Sequence, residues 1–245
     1  MGSRARLGAV VVLLLGGLGG PVTPVAPVAR VTRVVAFGDS VPDGARCACT
    51  PFPALVAARL GVGVEQLAED GATSADTART VGAHLPALTR GDVVLLETGA
   101  NDLAPLVDGA GDDAGDDAGV RAAAGAAVAR VAATVEALRA TGARVVVLDY
   151  WAVGLDGDVA ALRYTPRQRR LQGELTDAYD DRLACALAGR AVVVGLRPTF
   201  HAGAGATPLL AADGDHPDAA GHRAIAAAVL TALGWEDATG SPGIG

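Results

Sequence analysis

Residues 34–41 have the sequence VVAFGDSV, in which a short apolar run ends abruptly in a polar turn. Valine and phenylalanine favour an extended strand that is buried on both faces. Gly38 allows a sharp turn, which leaves Asp39 and Ser40 at the carboxyl end of this strand. Ligands bind at that end of the strands in open parallel sheets, so Ser40 is a candidate nucleophile. The tripeptide alone is weak evidence, because Gly-Asp-Ser is also an ordinary turn.

Four further apolar runs alternate with helical patterns along the chain. The predicted strands after the first cover residues 62–67, 93–97, 143–148 and 191–194, and the predicted helices cover residues 51–60, 74–84, 120–141, 165–189 and the segment between Pro217 and Gly234. Strands that alternate with helices form parallel sheets with right-handed crossovers. The pattern therefore predicts an α/β fold with a five-stranded parallel sheet covered on both faces.

The composition is typical of one globular domain, which we expect to cover residues 30–245. The chain has 245 residues, of which 51% are hydrophobic, so it can bury a full core. All 20 basic residues are arginine, and the formal net charge is −7. Because the charge is negative and no strong basic cluster is present, nucleic acid is not an expected partner.

The first residues have the pattern of an export signal. Arg4 and Arg6 precede an apolar run at residues 7–15 that is too short to span a bilayer comfortably. We expect residues 1–29 to be a signal peptide, with cleavage near Ala26 or Ala29 and secretion of the mature protein. An uncleaved membrane anchor is the alternative, whereas a cleaved protein would have no stable membrane insertion.

Residues 108–119 form an acidic, low-complexity segment in which Gly-Asp-Asp-Ala occurs twice. We interpret it as a solvated loop. A calcium loop is the alternative, but the segment lacks the alternating oxygen ligands and the closing glutamate of a known calcium loop.

Residues distant in the chain meet at the carboxyl edge of the predicted sheet, and together they suit ester hydrolysis. That reaction needs a nucleophile, a base, a group that orients the base, and donors for the oxyanion. His216 can accept the Ser40 proton, and Asp213 can reach the far ring nitrogen, although Asp215 or Asp218 could orient the ring instead. Gly71 can offer a backbone N–H, and the Asn101 amide can donate a second hydrogen bond.

Four segments resemble the sequence blocks of the GDSL-type, or SGNH, serine hydrolases. They are AFGDS at residues 36–40, DGAT at 70–73, GAND at 99–102 and DGDHP at 213–217, and they occur in the family's order. The resemblance implies a flavodoxin-like α/β/α sandwich and a triad of Ser40, His216 and Asp213. It also implies an oxyanion hole formed by the N–H groups of Ser40 and Gly71 and the side chain of Asn101. One departure is that Val41 and Pro42 replace the usual leucine.

The resemblance implies a serine esterase that forms an acyl-enzyme and needs no metal or organic cofactor, and the first residues predict that it is secreted. Its expected substrate is a small-molecule, lipid or acylated-carbohydrate ester, and we expect a monomer. The alternatives are a carbohydrate or cell-wall O-acetylesterase, a lysophospholipase or lipase, and a secreted binding protein that keeps the fold without catalysis.

Several other residues have expected supporting roles. Asp39 and Asp102 are expected to hold loops in place, and Tyr150 with Trp151 could line an acyl or sugar subsite or simply pack. The remaining histidines are interpreted as structural or surface residues: His84, His201 and His222.

The three cysteines can form at most one plausible intrachain bridge. Cys47 and Cys49 follow the first strand, whereas Cys185 lies about 30 Å along a helix that starts near Pro166. Since the Cα atoms of a disulfide lie within about 7 Å, only a Cys47–Cys49 bridge is feasible, and the alternative is that this pair stays reduced. Cys185 is expected to be a free thiol, buried on the same helix face as Leu171 and Leu175.

Overall fold

The computed structural model describes residues 30–109, 117–201 and 206–235. The predicted signal peptide and residues 110–116 of the acidic segment therefore lie outside the described residues.

Five strands form one sheet in which every pairing is parallel. The strands are β1 (Arg33–Gly38), β2 (Gly63–Gln66), β3 (Asp92–Glu97), β4 (Arg144–Leu148) and β5 (Val192–Val194). Their order is β2-β1-β3-β4-β5, which is the flavodoxin-like order of a doubly wound sheet. The predicted α/β class and the five-stranded parallel sheet are thus confirmed.

Ten α-helices and one 3₁₀ helix, Leu85–Ala87, accompany the sheet in the described part of the chain. The α-helices are α1 (Ser40–Asp43), α2 (Phe52–Leu60), α3 (Ser74–His84), α4 (Ala100–Asp108), α5 (Asp117–Ala140), α6 (Val153–Asp156), α7 (Ala160–Arg163), α8 (Pro166–Leu187), α9 (Arg197–Phe200) and α10 (Ala219–Ala232). No helix among the described residues combines the length and the apolar character that crossing a membrane requires.

Both faces of the sheet are buried, as the apolar strands require. Val35 and Phe37 of β1 pack into a core formed with α3, α4, α5 and α8. Val34 of the same strand packs into a second core, formed with α2 and α10. Alternate side chains of one strand therefore enter opposite cores, because neighbouring side chains in a strand point to opposite faces.

The structure corrects the prediction for the region after β3. No helix is predicted for residues 100–108, but they form α4, and α5 begins at Asp117 instead of near residue 120. α4 buries Leu103 and Val107, which are four residues apart and therefore share one helix face. The spacing of Leu103 and Val107 is the feature of the sequence that indicates a helix here. Pro105 lies between them and argues against a helix, so α4 was missed.

The cysteine prediction is correct in its pairing and wrong in one detail. Cys47 and Cys49 form a disulfide with Cα atoms 5.1 Å apart, and Cys185 is free. However, Cys185 is exposed instead of buried. The buried face of α8 includes Leu183 and Leu187. Cys185 lies midway between them, about 200° around the helix at 3.6 residues per turn, and so faces outward.

Candidate active site

The carboxyl end of β3 fixes the turn that presents Ser40. Gly38 has φ +142°, and a Cβ atom there would lie 1.9 Å from the carbonyl oxygen of Glu97, so no other residue fits without displacement of the backbone. The next N–H, that of Asp39, donates to the same carbonyl at 3.1 Å. Ser40 is then the first residue of α1 and is half-buried. Its position is therefore set by two neighbouring strands.

His216 is oriented by Asp213 within one short loop. The ring Nδ1 lies 2.7 Å from Asp213 Oδ2, and Asp213 Oδ1 accepts hydrogen bonds from the N–H groups of Asp215 and His216, both at 3.1 Å. Burial works against ionisation of Asp213, but these hydrogen bonds and the nearby His216 keep its pKa below the ordinary value. An ionised carboxylate only accepts, so Nδ1 carries the proton and Nε2 is the basic nitrogen.

Asp215 and Asp218 are the other possible partners for His216, and neither of them hydrogen-bonds to its ring. Asp218 caps α10 and accepts hydrogen bonds from the N–H groups of Ala220 and Gly221, at 2.7 and 2.8 Å. Asp215 contributes its backbone N–H to Asp213. The geometry thus gives the orienting position to Asp213.

The candidate oxyanion donors lie on the loops after β2 and β3. Gly71 has φ +80° in a turn closed by a 3.0 Å hydrogen bond from Ala72 N–H to the Glu69 carbonyl. Asn101, in the first turn of α4, donates from Nδ2 to the Ala72 carbonyl at 3.0 Å. An amide has two N–H groups, so one remains free for a further acceptor. Among the described residues, no acceptor pairs with the backbone N–H of Ser40 or Gly71.

Asp102 joins these two loops, as expected. It accepts hydrogen bonds from the N–H and the hydroxyl of Ser74 at 2.7 and 2.9 Å. Arg130 on α5 donates hydrogen bonds to both residues, to Ser74 Oγ at 2.8 Å and to Asp102 Oδ1 at 2.5 Å. This network fixes the start of α3 against the start of α4, and hence the Gly71 turn against Asn101.

A cavity of about 200 Å³ opens beside Ser40, Asn101 and His216, all of which line it. Asp213 lies behind His216 and does not line the cavity. Gly71 does not line it either, but the preceding residue, Asp70, does. The wall is mainly apolar. Its apolar and aromatic members are Val41, Ala100, Leu103, Ala104, Val107, Tyr150, Trp151, Val153, Tyr164, Leu175 and Tyr179, and its remaining polar members are Asp39, Asp70, Gln172, Thr176 and Asp215. None of the described residues that line it is a lysine or an arginine.

Most of this wall was not predicted from the sequence. Of the apolar residues, only Tyr150 and Trp151 are proposed from the sequence as possible subsite residues. Trp151 is 4% exposed and stacks on Phe200 with ring centroids 4.1 Å apart, so it both packs and lines the cavity. The cavity residues on α4 and α8 are brought to the wall by the packing of these helices on the sheet, and no local sequence motif predicts that packing.

The other histidines have structural surroundings. His222 is fully buried, and burial lowers its pKa to about 4, while its Nδ1 accepts the N–H of Phe52 at 3.3 Å. Its ring lies within 4.8 Å of the sulfur atoms of Cys47 and Cys49. Those sulfur atoms are joined in a disulfide and provide no thiolate for a metal. His201 pairs with the buried Asp156.

Comparison with known proteins gives the chain a family. A model of the GDSL-like Lipase/Acylhydrolase family matches residues 36–224, whereas none of the curated protein sequences matches. The fold resembles an extracellular lipase from Streptomyces rimosus, with 21% identity, 82% of this chain and 100% of that chain covered, and a TM-score of 0.60.

Two further solved structures resemble this fold to a similar degree. Phospholipase A1 from Streptomyces albidoflavus NA297 has 20% identity and a TM-score of 0.61, with 84% of this chain and 100% of that chain covered. A catalytic mutant of an acetylxylan esterase from Geobacillus stearothermophilus has 18% identity and a TM-score of 0.61, with 84% and 95% covered. At these identities the likeness shows the fold. Because the family model spans most of the chain, from β1 to α10, the protein belongs to the GDSL-like lipase and acylhydrolase family of ester-hydrolysing enzymes.

Proposed function

We propose that the protein is an exported serine esterase that hydrolyses carboxylic esters with an apolar acyl group through an acyl-enzyme. One observation carries the proposal: Ser40, His216 and Asn101 line a single apolar cavity, and Asp213 holds the His216 ring from behind. A nucleophile, an oriented base and an oxyanion donor thus face the same space, which is what acyl transfer requires.

The proposed reaction has two halves. His216 Nε2 takes the proton of Ser40 as Oγ bonds to the ester carbonyl carbon, and the carbonyl electron pair becomes an oxyanion. The N–H groups of Ser40 and Gly71 and the Asn101 amide donate to this oxyanion. The intermediate then collapses, the alcohol leaves with the proton from His216, and the acyl group stays on Ser40. Water, deprotonated by His216, releases the carboxylic acid and restores the enzyme.

The cavity wall favours a hydrocarbon acyl chain over an acetyl group. A mainly apolar wall without lysine or arginine gains free energy from each methylene that leaves water. The structural neighbours include both possibilities, since one is an acetylxylan esterase and others are a lipase and a phospholipase. An O-acetylesterase is therefore the second candidate.

A p-nitrophenyl ester series from acetyl to palmitoyl distinguishes these candidates. We expect kcat/KM to rise by up to about fourfold per added methylene, from about 0.8 kcal/mol each, until the cavity is full. The Ser40→Ala variant is the control for background hydrolysis. A maximum at acetyl would support the O-acetylesterase instead. No turnover of any ester by the wild type would support the binding-protein alternative.

Export is part of the proposal and is supported by Arg4, Arg6 and the apolar run that follows them. We expect the full-length chain, expressed with its own first residues in a host that secretes proteins, to appear in the medium with a new N-terminus near Ala26 or Ala29. N-terminal sequencing measures this. Recovery of only the uncleaved chain, attached to cells, would support the anchor alternative.

A further inference from the structure

The carboxyl group of Asp39 is held from two directions. Asp39 is 1% exposed; its Oδ1 accepts the N–H of Val41 at 3.3 Å, and its Oδ2 accepts the hydroxyl of Tyr150. Val41 is the second residue of α1, so the first hydrogen bond fixes the carboxyl group to the turn that carries Ser40. The second comes from a residue 111 positions away that follows β4. Since β3 lies between β1 and β4, Tyr150 reaches across the end of β3.

Tyr150 is itself fixed by α8. Its N–H donates to Asp180 Oδ1 at 3.4 Å, and its ring packs against that of Tyr179 with centroids 5.9 Å apart. Tyr179 in turn donates to the Thr98 carbonyl at 2.5 Å. Burial raises the pKa of both tyrosine hydroxyls well above the ordinary value, so both remain donors. The Tyr150 hydroxyl therefore has little freedom to leave Asp39.

Four titratable groups face Asp39: Glu97 at the end of β3, Tyr150, Tyr179 on α8, and His216. Burial raises the pKa of Asp39 to about 7, while the Tyr150 hydroxyl, the Val41 N–H and the charge on His216 act in the opposite direction.

Glu97 is the second buried carboxyl group beside Asp39. It is fully buried, and neither of its carboxyl oxygens has a hydrogen-bond partner among the described residues. Burial, and then the charges of Asp39, Asp149 and Asp180, raise its pKa well above the ordinary value. A raised pKa favours the protonated form of Glu97, whereas the Tyr150 hydroxyl, the Val41 N–H and the charge on His216 favour the ionised form of Asp39.

We propose that Tyr150 is a positioning residue, whose hydroxyl acts through Asp39 to hold the Ser40 turn and to keep a carboxylate near His216. This inference rests on the proposed ester hydrolysis. When His216 takes the Ser40 proton it becomes positively charged, and a nearby carboxylate stabilises that charge. Without the hydroxyl, Asp39 keeps one donor and is more readily protonated. Both the turn and the negative charge then lose support.

The Tyr150→Phe variant removes the hydroxyl and keeps the ring that packs on Tyr179. We expect kcat to fall about tenfold, as for the loss of one hydrogen bond to a charged group, with little change in KM. The acid limb of the pH profile of kcat moves to higher pH, because activity needs ionised Asp39 and the loss of the hydroxyl raises the Asp39 pKa. In an Asp39→Asn background, Tyr150→Phe should change kcat less than about twofold and leave the limb in place, because the intermediary is gone.

Additive losses in the double variant, or a Tyr150→Phe protein with the wild-type pH profile, would overturn the inference. Thermal melting curves identify a variant that fails to fold. If Tyr150→Phe fails to fold, the Asp39→Asn variant provides the test. The acid limb of its pH profile of kcat should contain one ionisation fewer than the wild-type limb, and an unchanged limb contradicts the inference. A ¹³C NMR titration of the Asp39 carboxyl group needs no substrate. A higher pKa in Tyr150→Phe supports the inference and an unchanged one overturns it, even if the wild type hydrolyses no ester and the proposed function fails.

Discussion

Replacing Ser40 or His216 with alanine should lower ester turnover by about 10⁴-fold or more and leave the protein folded, because nucleophile and base act as a unit. Neither side chain is needed by the core. Ser40 is half-buried, and among the described residues the His216 ring hydrogen-bonds only to Asp213. The loss should therefore appear in kcat, while the melting temperature and the circular dichroism spectrum stay close to those of the wild type.

His84→Ala provides a matched control for the histidine variant. His84 lies at the end of α3, where Nδ1 is 2.8 Å from the Thr80 carbonyl, and it does not line the cavity. Its replacement should change turnover less than about twofold. Near-wild-type turnover by purified Ser40→Ala protein would show that the nucleophile is another residue. Equal losses in His84→Ala and His216→Ala would show that the assay reports folding.

The sheet and its functional edge could be predicted because both depend on local patterns. Buried parallel strands are nearly continuous apolar runs, and each such run in this chain ends in a turn that can be recognised from sequence. Ser40 and Asn101 follow the ends of β1 and β3 directly, so the strand positions alone bring them to one edge. His216 and Asp213 are three residues apart, and a single loop suffices to pair them.

The cavity wall and the support behind Ser40 could not be predicted, because they depend on tertiary packing. Leu103 of α4 and Leu175 of α8 line the same cavity, although they are 72 positions apart and no shared motif relates them. The Tyr150–Asp39 hydrogen bond requires the order β1-β3-β4, which brings the ends of β1 and β4 to opposite sides of β3. The exposure of Cys185 could not be predicted either, because it depends on which face of α8 packs against the core. Cys185 was expected on the buried face, but it is exposed.

Asn101 is the donor whose loss should affect catalysis through the oxyanion. Its Nδ2 already donates one hydrogen bond to the Ala72 carbonyl at 3.0 Å, so the amide is held in place before substrate arrives. A donor that is fixed in advance costs no reorganisation during the reaction and is most useful once the negative charge has formed. Asn101→Ala should therefore lower kcat by about 10²–10³-fold with little change in KM.

A transition-state analogue separates this role from ordinary substrate binding. A boronic acid that bonds to Ser40 Oγ has a tetrahedral, negatively charged boron centre, and its inhibition constant should rise in Asn101→Ala in step with the loss in kcat. The loss of the Ala72 contact also predicts a modest fall in melting temperature, since a hydrogen bond contributes about 1 kcal/mol to stability. An effect on KM alone, with boronic acid inhibition unchanged, would show that Asn101 binds the ground-state ester and that the oxyanion is stabilised by the backbone N–H groups of Ser40 and Gly71.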